Sequence, residues 1–138
     1  MIVLDTNVLS ALMRDVPEKE VEDWLDRQPR TSIWTTSITV FELYFGLQIM
    51  AAGKRRSALG EKFELLIGKF DGRIAALDSE AAQRAAELMA ARRKEGRSVE
   101  LRDTMIAGIV LSHHASLATR NVTHFEDAGV PLINPWEA

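Results

Sequence analysis

Short apolar runs rich in β-branched residues recur along the chain, and most are followed by a longer segment with apolar positions at helical spacing. Ile2-Val3-Leu4 is the first run; it breaks at Asp5-Thr6-Asn7, and Val8-Leu9-Ser10-Ala11-Leu12 follows. This pattern predicts a buried strand, a polar corner and a short helix. Pro17 opens a second helix, with Glu18, Glu20 and Glu22 near its start and Trp24 and Leu25 on its buried side, and Pro29 ends it. Ser32-Ile33-Trp34-Thr35-Thr36 reads as a second strand. From Ser37 or Thr39 a longer helix runs through Met50 to a stop at Gly53. Lys54-Arg55-Arg56 then form a basic corner before a helix whose Phe63, Leu66, Ile67 and Phe70 share one face.

Arg73-Ile74-Ala75-Ala76-Leu77 is a third strand, and Asp78 or Ser79 caps an alanine-rich helix that ends at Gly96. The segment beginning Glu100-Leu101-Arg102-Asp103 is apolar nearly all round after the aspartate as far as His113 and His114. Such a helix is packed on several sides. Ser116 to Arg120 gives a fourth strand, Asn121 to Phe125 a short helical turn, and Val130 to Ile133 a fifth strand. Short strands alternating with helices imply an α/β fold: a three-layer α/β/α arrangement around a mainly parallel sheet of five strands. With 138 residues, no internal repeat and no low-complexity linker, one domain over residues 1–138 is expected.

Composition narrows the chemistry. Apolar content of 46% and charged content of 27% are those of an ordinary globular chain. Without cysteine there is no disulfide framework, thiolate metal site or thiol nucleophile. Met1-Ile2-Val3-Leu4 meets Asp5 too soon for a signal peptide, and no apolar run approaches the ~18 residues of a membrane span. A cytoplasmic protein without a membrane role is expected. The net charge of −3 gives no global attraction to nucleic acid, so a polyanionic substrate would need local basic patches and bridging cations.

Three acids stand at corresponding places. Asp5 follows the first strand, Glu42 lies early in the helix after the second, and Asp103 opens the buried helix. Each has a purely structural explanation. Asp5 suits an Asx turn or helix cap, Thr39-x-x-Glu42 fits a capping box, and Asp103 suits an N-cap. Those explanations do not account for all three falling near the carboxyl edge of one sheet, where open α/β sheets bind ligands. Carboxylates gathered there raise one another's pKa, and a divalent cation relieves the repulsion. An all-oxygen set suits Mg²⁺ or Mn²⁺.

Four motifs carry a family resemblance. They are Ile2-Val3-Leu4-Asp5-Thr6-Asn7-Val8-Leu9-Ser10, the helix residue Glu42, Leu101-Arg102-Asp103-Thr104-Met105-Ile106-Ala107, and Leu117-Ala118-Thr119-Arg120-Asn121-Val122-Thr123-His124-Phe125. In this order the chain resembles the PIN-domain nucleases, above all the toxin half of VapBC-type toxin–antitoxin pairs, FitB-like members included. The resemblance implies a PIN-like fold and a metal-dependent endoribonuclease acting as the toxin of a type II pair. It assigns Asp5, Glu42 and Asp103 to a site for Mg²⁺, for which Mn²⁺ can substitute. Asn121 stands where many relatives carry a fourth acid, and His124 where an Asp often precedes the Phe; both departures leave the metal count open. Asn7 is similar to residues that hydrogen-bond a metal carboxylate, with turn chemistry as the equal alternative.

The implied partners are RNA, a small VapB/FitA-like antitoxin covering the acidic site, and a second copy in a homodimer. Arg102, Arg120 or the Arg92–Arg97 cluster would hold flanking phosphates, although that cluster and Lys54-Arg55-Arg56 read first as solvated helix ends and corners. His113 and His114 fit a helix C-terminus, and no catalytic part is expected of them or of His124. The helix Phe41–Met50 is apolar on more sides than one monomer covers. A receiver domain would carry paired acids after the first strand and a lysine near the last; Asp5-Thr6 and Thr119-Arg120 stand there instead. A dehalogenase-like phosphatase would carry an acid in place of Asn7. The remaining alternative is a PIN domain that binds RNA or protein with incomplete catalysis.

Overall fold

The computed structural model describes every residue of the chain except Val99. The chain runs through β1 (Ile2–Leu4), α1 (Thr6–Leu12), α2 (Lys19–Asp26), β2 (Ile33–Thr36), α3 (Ser37–Ile49), α4 (Lys54–Gly68) and β3 (Ile74–Ala75). It continues through α5 (Ser79–Lys94), α6 (Leu101–Ser112), β4 (Ser116–Ala118) and β5 (Leu132–Ile133). Single 3₁₀ turns lie at Arg30–Ser32, Val122–His124 and Glu126–Ala128. The strands form one sheet in the order β3-β2-β1-β4-β5, and every pairing is parallel. The expected α/β/α architecture with five parallel strands is therefore observed.

The period of two along the strands sorts the core onto two faces. Val3 and Leu117 face one layer with Leu88 of α5 and Ile106, Ala107 and Val110 of α6. Leu4 and Ala118 face the opposite layer with Val8 and Leu9 of α1, Val21 and Trp24 of α2, and Phe70. After β1 the chain builds outward through β2 and β3, then returns to add β4 and β5 on the other side of β1. The order reverses at β1, and a crevice opens beyond the carboxyl ends of β1 and β4.

Strands are shorter than the sequence pattern suggests: the third keeps only Ile74–Ala75 and the fourth stops at Ala118. Thr119 N–H still donates to Ile133 O of β5 at 2.9 Å, and the chain then leaves the sheet. Lys54-Arg55-Arg56 is not a corner. Those residues form the first turn of α4, which begins after Gly53 at a positive φ of 153°. Among the described residues, no helix is long and apolar enough to cross a membrane.

Candidate active site

Asp5 is the first residue past β1, and its backbone N–H still donates to Ala118 O on β4 (2.9 Å). The side chain caps α1, with Oδ1 accepting from Thr6 N at 2.8 Å. The capping explanation is thus correct, but it uses one oxygen. Oδ2 accepts from Thr119 Oγ1 (2.8 Å) and from Asn7 Nδ2 (3.3 Å). Asn7 also accepts from Arg120 N at 3.2 Å, which links the corner after β1 to the end of β4. Thr119 Oγ1 accepts from Asn121 N at 3.0 Å. These bonds fix the Asp5 carboxylate at 3% exposure.

Glu42 is not part of a capping box. Helix α3 begins two residues before Thr39, and the cap is Thr36, whose hydroxyl accepts from Thr39 N (3.1 Å). Glu42 instead accepts from Thr6 Oγ1 at 3.2 Å, and that hydroxyl lies 2.9 Å from Thr39 Oγ1. Asp103 is not an N-cap either. Glu100 takes that position, its Oε2 accepting from Asp103 N at 2.8 Å. The Asp103 carboxylate is left to meet His124, whose Nδ1 lies 3.4 Å from Oδ2.

Asp5, Glu42, Asp103 and Asn121 line one hollow of about 330 Å³, together with Thr6, Asn7, Ser10, Arg14, Arg120 and Trp136. Burial pushes the Asp5 carboxyl up to about 6, with the charges of Asp103 and Glu42 adding to the rise and the bonds from Thr119 and Thr6 opposing it. Glu42 is raised as well, first by burial, against the bond from Thr6 and the charge of Arg102. Asp103 is raised by burial and by the charge of Glu100, against His124 and Arg92. Asp5 and Glu42 both feel the charge of Asp103 across the hollow.

Among the described residues, no three His, Cys, Asp or Glu side chains form a group able to hold a metal ion as they stand. The donor chemistry nevertheless fits a hard divalent cation. It consists of carboxylate and amide oxygens without sulfur, carrying negative charge that burial makes costly.

Thr6 and Thr119 were given no role by the sequence reading, and other residues stand in places it did not foresee. Thr6 and Thr119 orient the acids, and their only signal is their place directly after strand ends. His124 touches Asp103. Arg92, read as a solvated helix end, is buried; its signal was its place on the stripe Ala81, Ala85, Leu88 that buries α5. Arg97 is half-exposed and lines a neighbouring hollow of about 540 Å³ with Thr123, His124 and Asp103. Arg120 lies over the Trp136 ring at 4.9 Å.

The PIN domain family matches residues 2–130. The plasmid stability protein StbB of Pseudomonas syringae pv. tomato is 42% identical over 139 residues, covering 100% of both chains. The VapC ribonuclease Y4jK of Sinorhizobium fredii is 40% identical, with 99% of each chain covered. The crystal structure of FitAcB from Neisseria gonorrhoeae superposes with a TM-score of 0.91 at 33% identity, over 100% of both chains.

Proposed function

The chain belongs to the PIN domain family, and from that membership we propose that it is a metal-dependent endoribonuclease, the toxin of a toxin–antitoxin pair. The observation that carries the reading is the shared hollow, where Asp5, Glu42 and Asp103 have carboxyl groups raised by burial and by neighbouring acids. Structural acids are normally solvated or paired; acids held together at a cost are characteristic of functional sites. A relative named as a VapC ribonuclease supports the reaction class.

Asp5 and Asp103 would hold Mg²⁺ or Mn²⁺, with Glu42 as third ligand or as the group that orients the attacking water. When bound, the ion supplies an activated water and neutralises phosphate charge. The chain's own residues preset that chemistry. Thr119 and Asn7 hold one oxygen of Asp5, and Thr6 holds Glu42, so neither acid has to search rotamers. Asn121, at the rim, adds an uncharged oxygen where a fourth acid would add charge. Of the candidate phosphate contacts, Arg97 suits best, because it is half-exposed in the hollow that shares Asp103. Arg102 is also exposed beside Glu100. The donors of Arg92 are committed elsewhere.

The α3 side chains Phe41, Tyr44, Phe45 and Ile49 are 44–69% exposed, an apolar stripe beside Glu42. This is the surface for a small antitoxin or a second copy. A relative named as the toxin FitB, and a solved structure named FitAB, support the antitoxin as its occupant.

The test is cleavage of total cellular RNA by purified protein with Mg²⁺ or Mn²⁺, beside an EDTA control and folded Asp103→Asn. Discrete products are expected from wild type only, and only with metal. Products that persist in Asp103→Asn would discard this site. A folded wild type that cleaves nothing with either metal would leave the binding-only PIN domain as the better reading.

A further inference from the structure

Arg92 sits near the end of α5 at 4% exposure, a place that charges usually avoid. All three nitrogens of its guanidinium donate hydrogen bonds. Nε and Nη2 donate to the two carboxylate oxygens of Asp127 at 2.8 and 2.9 Å, a two-pronged pair that holds Asp127 below the usual carboxylate range. Nη1 donates to Thr104 Oγ1 (3.0 Å), and Nη2 also donates to the carbonyl of His124 (2.8 Å). Burial also requires partners for the N–H groups that Asp127 leaves over, and where those partners lie is informative. The other two bonds reach the two segments that border the acids. Thr104 directly follows Asp103 in the first turn of α6, and His124 belongs to the turn after β4. Thr104 Oγ1 donates onward to Glu100 O at 2.8 Å, and the Glu100 side chain accepts from Asp103 N. At this junction the His124 imidazole stands 3.4 Å from the Asp103 carboxylate.

We propose that Arg92 is a positioning residue for Asp103: it pins the His124–Asp127 turn to the first turn of α6, and so holds the His124 ring against the Asp103 carboxylate and sets its direction into the hollow. The proposal rests on the reading of Asp103 as part of the active site. Arg92 touches neither substrate nor metal. It acts through His124.

The test separates positioning from stability. Arg92→Met combined with Asp127→Leu removes both charges and leaves no unpaired buried ion, a replacement that generally preserves stability. Its thermal midpoint should stay near that of wild type, while kcat at saturating RNA falls about 10- to 100-fold, the usual effect of disturbing the partners of a site carboxylate. Asp127→Leu alone, which also releases Arg97 from its 3.5 Å ion pair, is the control for changes in KM. His124→Ala should lower kcat similarly, and adding it to the double variant should cost nothing further. In the metal-free protein, the His124 imidazole resonance should shift on Asp103→Asn in wild type and lose that response in the double variant. Recovery of wild-type kcat together with stability, or an unchanged His124 response, would overturn the proposal. If the double variant does not fold, Arg92→Lys carries the same measurements, because its single ammonium cannot span three partners. Wild type that cleaves no RNA would defeat the nuclease reading, whereas the resonance comparison would still decide the positioning one.

Discussion

Asp5 combines two demands that conflict. Its capping bond and its bonds from Thr119 and Asn7 favour the carboxylate, but burial outweighs them and lifts its carboxyl to about 6 from 3.8. The folded metal-free protein therefore holds the proton more tightly than the unfolded chain does. The stability tied to that proton is complete below about 3.8 and is lost as pH rises through about 6. Over the full shift it amounts to about 3 kcal/mol, at ~1.4 kcal/mol per unit. Glu42 and Asp103 are raised too and act in the same direction. Urea unfolding in EDTA should thus show stability increasing from pH 7.5 to pH 5, with a smaller increase in Asp5→Asn. Stability that is flat or falling over this range would mean that burial does not dominate at Asp5. Excess Mg²⁺ should oppose the trend, since an ion that binds the ionised carboxylates stabilises the fold most at the upper end of the range. Asp5 and Asp103 were legible as candidates because they fall where strands end and helices begin. Their partners were not, because Thr119 lies 114 positions from Asp5 and is brought to it only by the β1–β4 pairing.

At the scale of elements, α6 presents its acid correctly because α5 approaches it closely. Gly108 makes that approach possible: a Cβ there would lie 2.5 Å from Ala81 O and 2.7 Å from Ala85 Cβ. Neither neighbour can swing aside, since one is backbone and the other a methyl on a buried turn. Gly108→Ala should therefore destabilise by about 1–3 kcal/mol through overpacking, despite the better helix propensity of alanine. Gly60→Ala provides the contrast. It lies within α4 with nothing inside 4 Å, and should gain about 0.5–1 kcal/mol. Equal effects of the two substitutions on the urea midpoint would contradict the close contact. Helix positions followed well from apolar spacing, and the alanines of α5 made a close neighbour plausible. Cap identities followed in part: Asp5 and Asp78 cap α1 and α5 as expected. Thr36 and Glu100 take the places expected of Thr39 and Asp103. The point at which a strand or loop releases the chain, as β2 does into α3, decides which polar residue reaches the first free N–H groups, and apolar spacing does not fix that point.

For the whole molecule, the parallel sheet and its two covering layers follow from the alternation of apolar runs, which is why the fold class, though not the strand order, was readable from one sequence. The docking of the turn after β4 onto α5 was not. It depends on a buried Arg92–Asp127 pair 35 residues apart, and sequence periodicity says nothing about charges that are buried because they meet. The charge distribution has a further consequence. The chain carries a net charge of −3, so the RNA binding proposed for it cannot rest on a global field. It must come from a few contacts around the acidic hollow, with Arg97, Arg102 and Arg120 the candidates nearby and a divalent ion bridging the acids to phosphate. Three phosphate contacts with single-stranded RNA give a slope of log K against log monovalent salt of about −2, at ~0.7 per contact. RNA binding by a cleavage-deficient Glu42→Gln variant in Mg²⁺ should follow that shallow dependence, weaken with Arg97→Ala at every salt concentration, and largely vanish in EDTA. A slope steeper than about −4 would require a basic surface larger than these three arginines provide. It would move the binding face away from the hollow, toward the Lys54–Arg56 turn of α4.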